Sequence, residues 1–369
     1  MVGRIDLLYS KYLDENMKKT IGGVQTYISD LVKLFESKGI VVRIIQFSKE
    51  NFEYKLSDKS SVLGVKVCEK NVKKRYQALY DYSVQTAENT EGLLTIFATD
   101  NIIPSRVKTK AAAIQHGIFW DIPLTKKRPA FKRIISRVIH AEATIKNVNK
   151  VDCLICVDHN FLNWYRTQVD YVENNICVIP NYTAIPPVFE KEDDVIRIIF
   201  ARRLFDYRGT RVFAKAAKKI LDNYSNVHIT VAGSGPDEAW MKEQLQSYEN
   251  VSFITYESED SLRVHSDKHI AVVPTVGSEG TSLSLLEAMA AQCAVVCTNV
   301  GGMTNIVLDG YNGIFASPGN EEELYEAVAH LIENPDQIKQ IAKNAYVTVS
   351  QSFSHEKWKQ KWLKIVEGI

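Results

Sequence analysis

The sequence of 369 residues predicts an α/β protein built from two doubly wound parallel sheets. Short β-branched runs alternate with helical patterns along the whole chain, which favours parallel strands joined by helices. A proline-rich turn near the middle separates two halves of similar size, and a chain of this length is long enough for two domains. Hydrophobic residues make up 45% and charged residues 24%, which is typical of globular domains.

The predicted strands are apolar runs rich in β-branched residues. In chain order they include Ile5–Tyr9, Val41–Phe47, Leu93–Phe97, Ala111–Gln115, Cys153–Val157, Ile176–Ile179, Val195–Phe200, Val227–Ala232, Val251–Ile254, Ile270–Pro274 and Ala294–Cys297. Amphipathic helices are predicted between them, because apolar residues recur at helical spacing within 24–35 and within 324–332.

The predicted domain boundary follows the sixth strand. Pro180–Pro187 is a proline-rich turn, Glu190–Asp194 is charged, and a new strand begins directly afterwards. We therefore predict Rossmann-like domains at residues 1–183 and 190–350, with a final amphipathic helix at 352–369.

Composition excludes several classes of partner. A formal net charge of +1 gives no general attraction to nucleic acid. No apolar run reaches the roughly 20 residues needed to span a bilayer, and the polar N-terminus is better interpreted as a first strand than as a signal peptide. Cys153 and Cys156 form a CxxC inside a predicted strand, which favours buried thiols over zinc or redox chemistry. We expect a cytoplasmic protein without a metal or cofactor.

The segment 274–290 is the most informative part of the sequence. A strand ends at Pro274, a Gly/Ser loop follows, and a run of strong helix formers comes next, so free backbone N–H groups and a helix dipole face any ligand there. Glu279 and Glu287 would lie roughly 12 Å apart along the helix axis, a span that suits two hydroxyl-bearing rings with a phosphate between them. Taken singly, the two glutamates could instead be a loop carboxylate and a solvated helix residue.

This segment resembles the E-x7-E motif of the retaining glycosyltransferases of family four, which have the GT-B fold. The resemblance implies that Glu279 contacts the donor hexose and that Glu287 binds the ribose hydroxyls. The backbone that would hold the hexose and the diphosphate is that of Gly280, Thr281, Ser282, Leu283 and Ser284. The sequence departs from the motif at 281–283, where many members have Phe-Gly-Leu.

Three further segments resemble motifs of this family. Residues 203–209 resemble G-R-L-x-x-x-K-G, so Arg203 and Arg208 would neutralise the leaving diphosphate, whereas the preceding Arg202 is interpreted as a surface residue. Gly22 and Gly23 resemble a loop where the backbone approaches the donor phosphate or the acceptor, although a helix entry turn would use glycine as well. His116 resembles a histidine placed beside the donor sugar; alternatively it is structural.

The resemblance implies a metal-independent enzyme that moves a hexose-type sugar from a nucleotide diphosphate sugar, with retained configuration, to a glycan or lipid-linked glycan acceptor. Cell-surface polysaccharide synthesis is the expected setting, and the final helix is expected to pack back on the N-terminal domain. The alternatives are a sugar-nucleotide-binding protein or epimerase of the same fold, and an NAD-dependent oxidoreductase. Against the oxidoreductase, the third glycine of G-x-G-x-x-G is missing after Gly233 and Gly235.

Residues 126–150 form a strongly basic segment with an amphipathic pattern. Eight lysines and arginines stand against the single acid Glu142, and apolar residues recur between them at helical spacing. Two interpretations stay open. The helix packs its apolar face on the N-terminal sheet with its basic face solvated, or it lies on anionic lipid and brings the protein to a membrane-anchored acceptor.

Overall fold

A computed structural model describes residues 2–20, 22–87, 90–118, 129–169, 175–192, 194–277 and 279–369. The described residues divide into two compact units. Unit 1 takes those within Met1–His116, Pro129–Ile179 and Lys359–Ile369, and unit 2 takes those within Gly117–Arg128 and Pro180–Trp358.

Unit 1 contains an eight-stranded sheet with the spatial order β3-β4-β2-β1-β5-β6-β7-β8. Its strands are β1 (Arg4–Leu8), β2 (Val41–Ser48), β3 (Phe52–Lys55), β4 (Ser60–Lys66), β5 (Leu93–Phe97), β6 (Lys110–Gln115), β7 (Cys153–Cys156) and β8 (Ile176–Val178). Its helices are α1 (Gly23–Ser37), α2 (Val72–Gln85), α3 (Ala130–Val148) and α4 (His159–Arg166), with a 3₁₀ turn at Asp100–Ile102. Every neighbouring pair is parallel except β3 and β4.

A charged group lies in the middle of the unit 1 sheet. Asp6 on β1 is fully buried, and Arg43 on β2 donates to both of its carboxylate oxygens, at 2.8 and 2.5 Å. Ser83 of α2 adds a third hydrogen bond, at 2.6 Å. A buried carboxylate is tolerated only when it is paired in this way, so the cluster fixes α2 over the β1–β2 pair.

Unit 2 contains a six-stranded, fully parallel sheet with the order β11-β10-β9-β12-β13-β14. Its strands are β9 (Ile196–Ala201), β10 (Val227–Ala232), β11 (Val251–Ile254), β12 (Ile270–Val273), β13 (Ala294–Thr298) and β14 (Ile314–Ala316). Its helices are α5 (Thr210–Asn223), α6 (Glu238–Leu245), α7 (Ser261–His265), α8 (Leu283–Ala290), α9 (Glu321–Glu333) and α10 (Pro335–Ser352), with 3₁₀ turns at Asp206–Arg208, Ser258–Asp260 and Gly301–Asn305.

The strand order of unit 2 creates a switch point. The chain first builds β9, β10 and β11 in one direction and then places β12, β13 and β14 on the other side of β9. The loops after β9 and β12 therefore leave the same sheet edge in opposite directions. Open α/β sheets bind their ligands in the crevice that such a reversal leaves.

The α/β class with parallel sheets is confirmed, and all the strands predicted above are present within about one residue. Strands β3, β4 and β14 were not predicted. β3 is polar and lies at the sheet edge, and β4 carries Gly64 in its centre, onto which the ring of Phe52 packs so closely that an added Cβ would lie 2.0 Å from it. Edge position and an internal glycine both weaken the sequence signal of a strand.

Among the described residues, the chain passes between the units at 116–117, at 179–180 and at 358–359. The passage at 179–180 falls at the start of the proline-rich turn, and the passage at 358–359 lies within the last helix, α11 (His355–Gly368). In unit 1, Trp362 of α11 is fully buried and donates its indole N–H to the Tyr27 hydroxyl at 2.8 Å. Among the described residues, no helix is both long and apolar enough to cross a membrane.

We predict that Gly209→Ala destabilises unit 2 much more than Gly319→Ala does. Both glycines have left-handed φ values, +87° and +81°, so both variants bear a backbone penalty of roughly 1–2 kcal/mol. A Cβ at Gly209 would also lie 1.9 Å from the carbonyl oxygen of Pro274, whereas nothing lies within 4 Å at Gly319. Overpacking should add about 1–3 kcal/mol to the loss at Gly209, measured by urea unfolding. Equal losses in the two variants would contradict the close packing of these loops.

Candidate functional site

Arg202 directly follows β9 and lies at the switch point of unit 2. Its side chain is buried, with the residue only 7% exposed. One guanidinium nitrogen donates to the Thr275 hydroxyl, just after β12, at 2.6 Å, and to the carbonyl oxygen of Arg208 at 3.4 Å. Arg202 therefore ties the ends of the two neighbouring strands together, and the prediction that it is a surface residue is wrong. Successive side chains at a strand end point to opposite sides, which directs Arg202 inward and Arg203 outward.

Glu279 is the carboxylate around which this cluster forms. One of its oxygens accepts hydrogen bonds from Arg202 at 3.0 Å, from the Thr275 hydroxyl at 3.1 Å, and from Arg208. Burial by itself would raise the pKa of Glu279, but attraction to the two guanidinium groups outweighs burial and holds the pKa below its ordinary value. Glu279 is therefore a buried, ionised group whose charge is shared by two cations.

Arg208 and Arg203, the two predicted diphosphate-binding cations, occupy different environments. Arg208 ends a 3₁₀ turn, is partly exposed and pairs with Glu279. Arg203 is exposed, and its guanidinium lies 5.6 Å from the centre of the Phe205 ring. The structure thus brings Arg208 to Glu279 and leaves Arg203 outside that ion-pair cluster; the predicted role of Arg203 stays a prediction.

Close backbone contacts fix the loop that carries Glu279. The Gly302 N–H donates to the Glu279 carbonyl oxygen at 2.9 Å, and a Cβ on Gly302 would lie 2.5 Å from the Gly280 carbonyl oxygen. The loop after β13 therefore packs directly on the backbone of residues 279–281. On the other side, Asn181 donates to the Thr281 carbonyl oxygen at 2.7 Å. These contacts hold the approach to α8 in one conformation.

The N-terminus of α8 faces this loop. Ser282 is its N-cap residue but makes no capping hydrogen bond with its side chain, and Thr281 and Ser282 are buried. The half-buried residues Leu283 and Ser284 form the start of the first turn. The first N–H groups of a helix have no partner within the helix and carry the positive end of its dipole, so this terminus can bind an anion.

Glu287 lies in the second turn of α8 and is partly buried. Its carboxylate accepts a hydrogen bond from the Ser261 hydroxyl at 2.6 Å. Burial raises the pKa of Glu287 to about 7, and the Ser261 hydrogen bond only partly opposes this shift. Burial, together with the nearby Glu287 charge, raises the pKa of Tyr256 to about 12. Glu287 is therefore able to hold a proton near neutral pH, and Ser261 is a site residue that the sequence analysis missed.

His116 belongs to unit 1 and follows β6. Its Nε2 lies 2.9 Å from the Ala98 carbonyl oxygen, and its ring meets the Tyr27 ring edge-on at 5.6 Å between centroids. Burial lowers the pKa of His116 to about 4, against the opposing effect of the Ala98 hydrogen bond. The ring is then neutral at physiological pH. Because a carbonyl oxygen only accepts, Nε2 carries the proton and Nδ1 is left as an acceptor.

Gly22 and Gly23 form the entry of α1 in unit 1. Gly22 is the N-cap residue, and its carbonyl oxygen accepts the Thr26 N–H at 3.1 Å. A Cβ on Gly22 would lie 2.5 Å from the Gln25 side-chain oxygen, so a larger residue there would displace Gln25. This geometry suits a helix entry turn, and the predicted approach of this backbone to a ligand stays a prediction.

The glycines of the oxidoreductase alternative have a packing role in unit 2. A Cβ on Gly233 would lie 2.3 Å from the Arg202 carbonyl oxygen, and one on Gly235 would lie 2.4 Å from the Leu204 carbonyl oxygen. Both glycines have φ values between +130° and +160°. They are needed so that the loop after β10 can pack against the Arg202 segment. Among the described residues, no group of three or more acidic, histidine or cysteine side chains is arranged to hold a metal ion.

Comparison with known proteins indicates the class of protein to which this chain is similar. Residues 181–348, slightly less than half of the chain, match the family model described as "Glycosyl transferases group 1". An uncharacterised glycosyltransferase of Methanocaldococcus jannaschii is 27% identical over 274 residues, which cover 71% of this chain and 69% of that protein.

Two solved structures cover nearly the whole chain. Sucrose-phosphate synthase from Thermosynechococcus elongatus superposes with a TM-score of 0.77 at 16% identity, over 99% of this chain and 98% of that one. A variant of S. aureus TarM, in complex with fondaparinux, α-GlcNAc-glycerol and UDP, gives 0.73 at 13% identity, over 99% of both chains. At such identities these structures show the fold alone, and the predicted GT-B fold is confirmed.

The family model and the Methanocaldococcus relative thus make this chain similar to glycosyl transferases of group 1. Membership of family four and the roles of the E-x7-E residues stay predictions. The matched segment 181–348 contains both the Arg202–Arg208–Glu279 cluster and Glu287. The region matched by the family model therefore includes the ion-pair cluster at the switch point of unit 2.

We predict that the Glu287→Gln variant becomes more stable relative to the parent protein as the pH rises. The folded-state pKa of Glu287, about 7, lies above its ordinary value of 4.5, so the favourable contribution of the protonated form is present below 4.5 and lost as the pH rises through 7. Glutamine mimics the protonated form at every pH. Between about pH 5 and about pH 8 the variant should gain about 1–3 kcal/mol over the parent in urea unfolding. Glu326→Gln, on the exposed face of α9, is the control and should show no such trend.

Proposed function

We propose that this chain is a retaining glycosyltransferase that moves a hexose-type sugar from a nucleotide diphosphate sugar to a glycan or lipid-linked glycan acceptor. The observation that carries the proposal is the cluster of Arg202, Arg208 and Glu279 at the switch point of unit 2. It stands beside the N-terminus of α8, with Glu287 in the second turn of the same helix. Cations, a helix N-terminus and two spaced carboxylates suit a ligand with a diphosphate between two sugars.

In the proposed complex the diphosphate lies at the N-terminus of α8, over the backbone of Gly280–Ser284. Arg208, which is partly exposed, turns from Glu279 to the diphosphate, and the exposed Arg203 supplies a second cation. Arg202 is buried between Thr275 and Glu279, so it stays in place and keeps Glu279 ionised. Glu279 then accepts hydrogen bonds from the hexose hydroxyls, and Glu287 accepts those of the ribose.

The reaction follows from this charge arrangement. As the glycosidic bond breaks, negative charge grows on the leaving diphosphate, and Arg203, Arg208 and the α8 dipole stabilise it without further rearrangement. The departing phosphate oxygen takes the proton of the acceptor hydroxyl, which attacks on the same face and so retains the anomeric configuration. No metal is required, because the cations are supplied by the protein. The roles that the resemblance implies for His116 and for Gly22 and Gly23, all in unit 1, stay predictions.

The class of substrate rests on the resemblance and on the relatives. The TarM variant was solved with UDP and with α-GlcNAc-glycerol, which supports a nucleotide diphosphate donor and a glycosylated acceptor for this chain as well. We place the activity in the cytoplasm, on the membrane face where a lipid-linked acceptor of cell-surface polysaccharide synthesis is presented. A panel of nucleotide sugars, assayed for both hydrolysis and transfer, separates this function from a binding protein, an epimerase or an oxidoreductase.

We predict different kinetic effects for the two glutamates. Glu279→Ala should mainly lower kcat, because its hydrogen bonds are made to the sugar that reacts, and each 1.4 kcal/mol lost in the transition state slows turnover about tenfold. Glu287→Ala should mainly weaken nucleotide binding, by about tenfold to a hundredfold, measured by calorimetry with the nucleoside diphosphate. Glu326→Ala is the matched control on an exposed helix face. Near-normal kinetics in both folded variants would refute the assignment.

We further predict that the fresh product keeps the anomeric configuration of the donor. NMR of the anomeric proton during the first turnovers distinguishes retention from inversion before any mutarotation. Activity should persist after exhaustive treatment with a chelator, because Arg203 and Arg208 carry the charge stabilisation. An inverted product, or activity that returns only on addition of a divalent metal, would contradict the mechanism.

A further inference from the structure

The first half of α3 exposes an apolar stripe. Five large side chains with fractional exposures of 53% to 61% recur at the spacing i, i+3, i+4, i+7, i+8, namely Phe131, Ile134, Ile135, Val138 and Ile139. At about 100° per residue they occupy an arc of roughly 140° on one helix face. The expectation that this face packs on the N-terminal sheet is therefore wrong, because these side chains are turned away from the rest of unit 1.

The opposite face of α3 anchors the helix. Thr144 and Val148 are buried, and the Asn147 amide donates to the Asp100 carbonyl oxygen at 3.4 Å. These residues attach the C-terminal half of α3 to the 3₁₀ turn at Asp100–Ile102 and leave its N-terminal half projecting with the apolar stripe outward. The helix is thus held by a mixed face near its C-terminus while its apolar stripe lies in solvent, which reverses the usual arrangement of a surface helix.

Positive charge accompanies the stripe. Lys132 and Arg137 are exposed and flank it on its two sides, and Arg133 lies behind it. Within the part of the chain that the structure describes, none of the three has a carboxylate partner. The single acid of the helix, Glu142, lies beyond the stripe and is paired with Lys146 at 2.6 Å. The basic residues 126–128, which belong to the same predicted segment, lie outside the described residues.

We propose that the first half of α3 is a membrane-docking helix whose apolar stripe enters the interface of an anionic bilayer, with Lys132 and Arg137 on the headgroups. Elsewhere in the described residues, strongly exposed large apolar side chains such as Val72 and Leu308 do not recur at helical spacing along one face. A contiguous stripe with unpaired cations at its margins suits a surface that is apolar inside and negative at its boundary. That combination favours lipid over a second copy of the chain, whose identical face would bring like charges together. The inference stands on α3 alone and does not depend on the transfer reaction.

The test is co-sedimentation of the whole chain, without donor, with vesicles of phosphatidylcholine alone and with added phosphatidylglycerol. Binding should require the anionic lipid and weaken as salt increases. Ile134→Gln with Val138→Gln should lower binding by at least about a hundredfold, and Lys132→Gln with Arg137→Gln by about thirtyfold at low salt. The matched controls are Leu308→Gln, which removes an exposed apolar residue outside α3, and Lys70→Gln with Lys74→Gln, which removes two exposed charges outside α3. The controls should bind as the parent does.

The depth to which α3 inserts into the bilayer provides an independent measurement. Ile135→Trp should fluoresce at shorter wavelength on anionic vesicles and be quenched by lipids brominated in the acyl chain, whereas Leu308→Trp should show neither effect. The substituted positions are exposed, so unfolding curves should match the parent. Vesicle binding that does not depend on lipid charge, or that is unchanged by the α3 substitutions, would overturn the proposal. The proposal would also be overturned if the chain self-associated through this face in sedimentation equilibrium and did not bind vesicles. The apolar stripe would then be covered by a second copy of the chain.

Discussion

The carboxylate of Glu279, buried against two guanidinium groups, is the interaction on which the candidate site depends. A buried charge without a partner is costly, so the loop after β12 can carry Glu279 inward only because Arg202 and Arg208 arrive there from the loop after β9. Arg202 and Arg208 can reach Glu279 only if β9 and β12 are neighbouring strands, and the reversal of strand order makes them neighbours. Gly301 and Gly302 then allow the loop after β13 to close on the same backbone. The cluster thus selects one arrangement of three loops.

The three arginines near this carboxylate are not equivalent. Arg202 is buried and bonded to both Thr275 and Glu279, so it serves to hold the site in place. Arg208 is partly exposed and pairs with Glu279, and Arg203 faces solvent. In the proposed donor complex, Arg208 and Arg203 bind the diphosphate while Arg202 stays paired with Glu279, so that this carboxylate is not left as an unpaired buried charge. In this way the resting ion pairs and the proposed donor complex use the same groups.

Helices α3 and α5 show how far a periodic pattern can be interpreted. Both have apolar residues at helical spacing, and the sequence supports an amphipathic helix in each case. In α5 the apolar side, with Phe213 and Ile220, is buried against the unit 2 sheet. In α3 the apolar stripe is exposed, and the opposite face, with Thr144 and Val148, is attached to the fold. Periodicity defines the two faces of a helix, but neighbouring elements decide which face they cover.

The sequence by itself determined the α/β class, nearly all strands, the proline-rich turn between the halves and the spacing of Glu279 and Glu287, because each is a local pattern. Only the tertiary structure decided that Arg202, rather than Arg203, pairs with Glu279 and that Ser261 bonds to Glu287. These partners are 77 and 26 residues apart in the chain. Their approach depends on strand order and loop packing, for which a single sequence carries no local signal. The outward stripe of α3 was decided in the same way, by what packs behind it.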